Sequence, residues 1–220
     1  MKKVALTLVV LMLTLVPASF AANTLTVNGP GLNSTSFALR VNLDDTANNV
    51  YVETQHPTAE THYLIRFWVD PTALSTLSAN TSIRMGAINS TAFGQRIVIF
   101  LRHDAPGGAP QFQINTWGMQ DAGAPSTYTF LKGVNIGPVA GAVPNQVEIE
   151  WTRSTGAGQP NAIFRIQRIT PGNVGTNQLL NNLTMFDFTV DDARFGVLAG
   201  SGTNMTAAGS YKFDEFESYR

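Results

Sequence analysis

The sequence predicts an all-β protein, an antiparallel two-sheet β-sandwich of jelly-roll type, from its composition, the spacing of its apolar runs and its turn residues. Charged residues make up only 13% of the 220-residue chain, and Asn, Thr, Ser, Gly and Ala abound. That mixture suits pleated surfaces and turns better than long helices. About a dozen short runs of β-branched and aromatic residues are bounded by Gly, Pro, Asn and Asp clusters. Many antiparallel strands with short links and almost no helix bury their apolar faces by stacking two sheets.

The runs, in order, are Phe37 to Leu43, Asn49 to Glu53, His62 to Val69, Ser82 to Asn89, Arg96 to His103, Gln111 to Trp117, Tyr128 to Lys132, Gln146 to Thr152, Ala162 to Arg168, Thr184 to Val190, Arg194 to Leu198 and Ser210 to Ser218. Only Pro71 to Leu77 hints at a helical turn. Val147, Ile149 and Trp151 alternate with Gln146, Glu148, Glu150 and Thr152, so one face is expected in a core and the other in solvent. Ile97 to Leu101 is apolar on both faces, as a central strand covered on both sides would be.

Ahead of these runs, Met1-Lys2-Lys3 places two cations before the apolar stretch Val4 to Val16, which is the length of a signal-peptide core and too short for a membrane span. Ser19 and Ala21 are the small residues a signal peptidase reads. Residues 1–21 are therefore expected to be a cleaved signal peptide and residues 22–220 a single sandwich domain, secreted to the periplasm or the extracellular space, with no membrane span after cleavage. The chain has no cysteine, which excludes disulfides, a lipid-bearing cysteine and thiolate chemistry. Without Lys2 and Lys3, 12 basic residues face 15 acidic ones, a formal charge of −3 that argues against a nucleic-acid partner.

One strand stands out for recognition. Gln111, Gln113, Asn115 and Trp117 fall on one face of their run, with Phe112 and Ile114 on the other. Amides bond hydroxyls while an indole stacks on the apolar side of a sugar ring. Arg66 with Trp68, and Arg96 with Arg102, are polar or aromatic residues on single faces of other strands; if these faces coincide they form one broad patch. His56, His62 and His103 have no zinc-type spacing and read as surface or hydrogen-bonded side chains. No Gly-x-Ser-x-Gly elbow is present, and Gly107-Gly108 belongs to a turn-like segment.

Four stretches carry a wider resemblance: Phe37 to Asn42 followed by Asp44-Asp45; Pro57 to Tyr63 running into Arg66 to Pro71; Val147 to Trp151; and Arg194 to Val197 with the terminal Phe213-Asp214-Glu215-Phe216-Glu217-Ser218. In order and spacing they resemble the concanavalin A-like lectin/glucanase superfamily, in its laminin G-like bacterial branch. One departure is that Ile169 to Asn173 replaces the usual Asp-Gly turn.

The resemblance implies a jelly roll and, most simply, a non-catalytic module that binds a carbohydrate or cell-surface ligand, and the strand spacing offers Trp117, Asn115, Gln113, Gln111, Arg102, Trp68 and Arg66 as its binding residues. Retaining glucanases of the superfamily use Glu-x-Asp-x-x-Glu, and here Glu148 and Glu150 are followed by Arg153, which cannot serve as acid and base. No catalytic residue is therefore expected. No cofactor is expected either, apart from calcium at the acidic pairs Asp44-Asp45 and Asp191-Asp192, where the resemblance implies a loop rim. The rival expectations are a self-associating surface protein and a glycan-active enzyme.

Overall fold

The computed structural model describes residues 23–44, 47–74, 79–105, 109–119, 128–156, 161–169, 177–183, 188–199 and 209–219. The expectations for the signal peptide, for Gly107-Gly108 and for the turn after Ile169 lie outside these residues. Thirteen strands form among the described residues. They are β1 (Thr24–Asn28), β2 (Ala38–Leu43), β3 (Val50–Glu60), β4 (His62–Asp70), β5 (Thr81–Ser90), β6 (Gly94–Asp104), β7 (Gln111–Met119), β8 (Tyr128–Pro138), β9 (Asn145–Thr152), β10 (Ala162–Ile169), β11 (Asn177–Leu183), β12 (Val190–Val197) and β13 (Gly209–Tyr219). A single 3-10 turn, Thr72–Leu74, follows β4.

The strands make two sheets, one of seven in the order β1-β2-β13-β4-β9-β10-β11 and one of six in the order β3-β12-β5-β6-β7-β8. Every pairing is antiparallel. The β-sandwich expected from composition is present.

The period-two pattern explains how the sheets stack. Tyr63, Ile65, Phe67, Val147, Ile149, Trp151, Phe164 and Ile166 line the inner face of the seven-stranded sheet. They meet Ile97, Ile99, Leu101, Phe112, Ile114, Val134 and Phe195 of the six-stranded sheet in one core cluster. Tyr211 on β13 donates its hydroxyl to the Gly196 carbonyl on β12, joining the sheets across the core. Gly196 has φ +148°, and a Cβ there would run into the Val50 carbonyl and the Tyr51 backbone, so only glycine fits.

Three strands depart from the expectations. β3 runs past Glu53 through Pro57, a residue that argues against a strand interior. It is an edge strand, and its pairing with β12 shifts between Glu60↔Val190 and Gln55↔Asp192, which spares Pro57 a ladder bond. The other two, β1 and β11, were not foreseen. Both are edge strands, and the Asn-rich Asn-Gln-Leu-Leu-Asn-Asn-Leu of β11 has low strand preference and forms by pairing with β10.

Candidate active surface

The outer face of the six-stranded sheet is organised by register into rows. Ala87, Val98, Trp117 and Phe130 form one row across β5, β6, β7 and β8. The next holds Arg84, Phe100, Asn115 and Gly133, and the third Ser82, Arg102, Gln113 and Asn135. Ala87, Val98, Phe100 and Leu198 make an apolar floor separate from the main core, with Trp117 and Tyr128 packed against it. The two-sided apolar character of Ile97 to Leu101 is explained by this floor: Ile97, Ile99 and Leu101 face the core and Val98 and Phe100 face outward.

Polar groups rise around the floor. Arg84 is only 6% exposed. Its Nη2 donates to the Gln95 side chain and lies 3.4 Å from the Tyr128 hydroxyl, with the guanidinium carbon 5.8 Å from the centre of that ring. The Tyr128 hydroxyl in turn lies 3.4 Å from the Gln95 carbonyl. Both contacts to the phenol oxygen are long for hydrogen bonds, so the hydroxyl is loosely held and able to turn to a ligand.

In the same row as Arg84, two strand spacings or about 10 Å away, lies Asn115, which is 7% exposed. The reason Asn115 lies there is Gly133 beside it, where any Cβ would overlap the Asn115 carboxamide. Gly133→Ala is expected to displace that amide while leaving the fold intact. The check is a melting temperature close to that of the unchanged protein, together with loss of whatever activity Asn115→Ala loses.

Trp117, Asn115, Gln113, Gln111 and Arg102 thus share one face, as their spacing implied. Trp117 is partly buried, and the more exposed aromatic is Phe130, 47% exposed and edge-on to Trp117 at 5.5 Å between ring centres. Arg102 is paired with Asp104 at 3.5 Å.

Arg66 and Trp68 do not join them. Both lie on β4, on the outer face of the other sheet, so the broad patch combining the two sets does not form. Trp68 is covered by Leu32 and Ala38, and Arg66 is held by Glu148. Arg84, Tyr128, Phe130 and Gly133 were not foreseen as site residues. The one legible sign was Arg84, a charge within the strongly apolar Ile-Arg-Met-Gly-Ala-Ile run.

The outer face of the seven-stranded sheet corrects a second expectation. Glu148, expected in solvent, is 3% exposed. It accepts from Arg66 at 2.5 and 3.1 Å, from Arg165 at 2.9 Å and from Gln167 at 2.6 Å. Glu150 accepts from His62 at 2.9 Å and from Arg165 at 2.7 Å. With their oxygens occupied, these carboxylates are not placed to act as nucleophile and acid in hydrolysis.

Burial pushes the Glu150 carboxyl up, but the bonds from His62 and Arg165 outweigh it and hold it below the usual carboxylate range. A depressed folded-state value gives stability that is present above the unfolded value, about 4.3 for Glu, and is lost as pH falls through the lower, folded one. Acid unfolding is therefore expected to set in below about pH 4.3. Glu150→Gln should flatten that pH dependence in denaturant titrations, and an unchanged slope would contradict the assignment.

The remaining expectations concern histidines and calcium. His56 bonds Tyr63 at 2.9 Å inside the molecule and His62 bonds Glu150. His103 differs from the expectation: it is buried against Phe112, and neither ring nitrogen has a hydrogen bond. Asp191 accepts from the Thr91 amide, and Asp192 from Asn89 with Arg194 3.4 Å away. Among the described residues no group of three or more His, Asp or Glu is placed to hold a metal ion. Asp45 lies outside the described residues.

The fold and this surface define a jelly-roll sandwich with an arginine-bearing outer sheet face, and solved structures match the fold over most of its length. An endo-β-1,4-glucuronan lyase from Trichoderma reesei matches with TM-score 0.61 and 12% identity, over 89% of this chain and 86% of that one. An alginate lyase from Aplysia kurodai matches with TM-score 0.55 and 13% identity, over 89% and 86%. A cellulose-induced protein matches with TM-score 0.51 and 13% identity, over 92% and 88%. No protein-family model and no curated protein sequence matches the chain.

At these identities the likeness is one of fold. It supports the two-sheet β-sandwich and does not show the laminin G-like branch. The expectation of a non-catalytic binding module is overturned, because the sandwiches that share this architecture over most of their length include several polysaccharide lyases. Among the described residues no helix is long and apolar enough to cross a membrane.

Proposed function

We propose that the protein is an exported polysaccharide lyase that cleaves a uronate-containing glycan on the outer face of the six-stranded sheet. The observation that carries this reading is the nearly buried Arg84 guanidinium beside the Tyr128 hydroxyl, on the sheet face that also holds Asn115 in the row of Arg84. The lack of a glucanase carboxylate pair argues against a two-carboxylate hydrolase only. A lyase does not use one.

The chemistry follows from the substrate. A uronate carries a carboxylate on the carbon whose proton must leave, and developing negative charge there is favourable only if the carboxylate is neutralised by preorganised donors. Arg84 and the Asn115 amide supply such donors. The Tyr128 oxygen takes the proton from the carbon that bears the carboxylate as its own hydroxyl proton passes to the glycosidic oxygen, the electron pair left on carbon forms a carbon–carbon double bond, and the bond to that oxygen breaks. No water is consumed. Phe130 and Trp117 give the neighbouring sugar ring an aromatic wall.

The test is to incubate the protein with glucuronan, with alginate and with neutral β-glucan, following both the ultraviolet absorbance of the new double bond and the appearance of reducing ends. The reading requires both signals from a uronate polymer and neither from the neutral one. Reducing ends without absorbance would indicate hydrolysis instead, and neither signal on any uronate polymer would overturn the proposal.

A further inference from the structure

The β10 pattern contains an anomaly. Ala162, Phe164 and Ile166 all face inward, and position 168 has the same parity, where an apolar residue would continue the core, yet it is Arg168. At this end of the sandwich Arg168 reaches the edge strand β8, and its Nη1 donates to the Asn135 carbonyl at 2.9 Å. A pocket of about 440 Å³ opens there, lined by Arg168, Gln111, Asn135, Pro110 and Pro138 among others.

Charge and hydrogen bonding both leave this pocket wanting an anion. Arg66, Arg102, Arg165 and Arg194 each have a carboxylate within 3.5 Å. Arg168 has none among the described residues. The Gln111 side-chain oxygen accepts from Asn135, which leaves its amide nitrogen without a bond to a described residue. The nearest acid in register is Asp104, opposite Gln111, and it is engaged by Arg102 and the Ala105 amide. The two prolines offer an apolar wall.

We propose that this pocket is a distal subsite that binds the carboxylate of a second uronate on the same chain, several sugar units from the reacting one. The inference rests on the lyase reading. Gln111 and Asn115 lie on the same face of β7 four residues apart, about 14 Å at the strand rise, the reach of a short oligosaccharide. A guanidinium reads a carboxylate through paired donors, and the prolines pack against the ring. The subsite makes affinity depend on chain length and leaves the chemical step alone.

The experiment compares unchanged protein with Arg168→Gln and Arg168→Lys on oligouronates of graded length. KM for the long chains should rise by about tenfold in Arg168→Gln, the loss of one charge-assisted contact, with less change in Arg168→Lys. In both variants kcat and the kinetics on the shortest cleavable chains should stay the same. A melting curve for each variant separates loss of the Asn135 contact from loss of binding, and Gln111→Glu, which puts a negative charge in the pocket, should also weaken long chains. Equal effects of Arg168→Gln on short and long chains, or no effect on either, overturn the subsite.

A parallel titration of Tyr128→Phe protein with the same oligouronates keeps the two proposals apart. If the unchanged protein cleaves no uronate but long chains bind with an affinity that depends on Arg168, the subsite stands and the lyase reading falls. If nothing is cleaved and nothing binds, both fall.

Discussion

Arg84→Ala should lower the turnover of uronate polymer by about a hundred- to a thousandfold, the usual cost of removing one preorganised donor from a site of developing negative charge. Arg84 is nearly enclosed and its guanidinium is held by Gln95 beside the Tyr128 hydroxyl. A smaller cation in its place cannot match both the Gln95 contact and a carboxylate, so Arg84→Lys should recover only part of the loss. Tyr128→Phe removes the hydroxyl but keeps the ring that packs against the apolar floor of Ala87, Val98, Phe100 and Leu198. It should abolish turnover with little change in melting temperature or in affinity for an oligouronate. Steady-state kinetics with a binding measurement on the same variants decides the matter. Full activity in Tyr128→Phe would remove the phenol from the reaction, and an early melt in Arg84→Ala would mean that the guanidinium holds the sheet face together.

The largest stability effect is expected at Trp151. Its side chain is fully buried between the sheets, stacked on Phe188 at 4.4 Å between ring centres and 16° between planes. It also lies between Tyr63 on β4 and Phe164 on β10 in register. Deleting so large a buried ring removes its transfer free energy and leaves a cavity that strands bound on both sides cannot collapse to fill. Trp151→Ala should cost about 3 to 5 kcal/mol in a denaturant titration. A near-neutral result would contradict the inward placement of β9, whereas Trp117→Ala, on the outer face and only partly buried, should cost clearly less.

What could be read from the sequence is what depends on neighbours along the chain. The alternation of Val147, Ile149 and Trp151 against Glu148 and Glu150 assigned the two faces of β9, because successive side chains in a strand point to opposite sides whatever the strand pairs with. The same rule put Gln111, Gln113, Asn115 and Trp117 together, and the structure keeps them on one face. It could not say that Glu148 would be enclosed, since the cations that cover it come from β4 and β10, more than fifteen residues away on either side.

Sheet membership was equally out of reach. Arg66 and Trp68 look locally like partners for Trp117, but β4 pairs with β9 and β13, which puts them on the other sheet, back to back with the candidate site. Pairing across the sandwich is a long-range choice made by core packing, and no local pattern encodes it. β11 became a strand by adding to an edge despite its asparagines, and β3 kept Pro57 because an edge strand with a shifted register does not need every amide.

The site itself shows the division most clearly. Sequence alone determined a cysteine-free, all-β sandwich and the polar face of β7, because both follow from composition and from a two-residue period. Only the tertiary structure decided that Arg84 from β5 and Tyr128 from β8 meet on the sheet face that carries Asn115 from β7, and that Arg168 crosses from the opposite sheet to the same edge. Strands far apart in the chain are brought side by side by backbone pairing and by the burial of their inner faces. The chemistry on the outer face is therefore assembled by forces that act on the other side of the sheet.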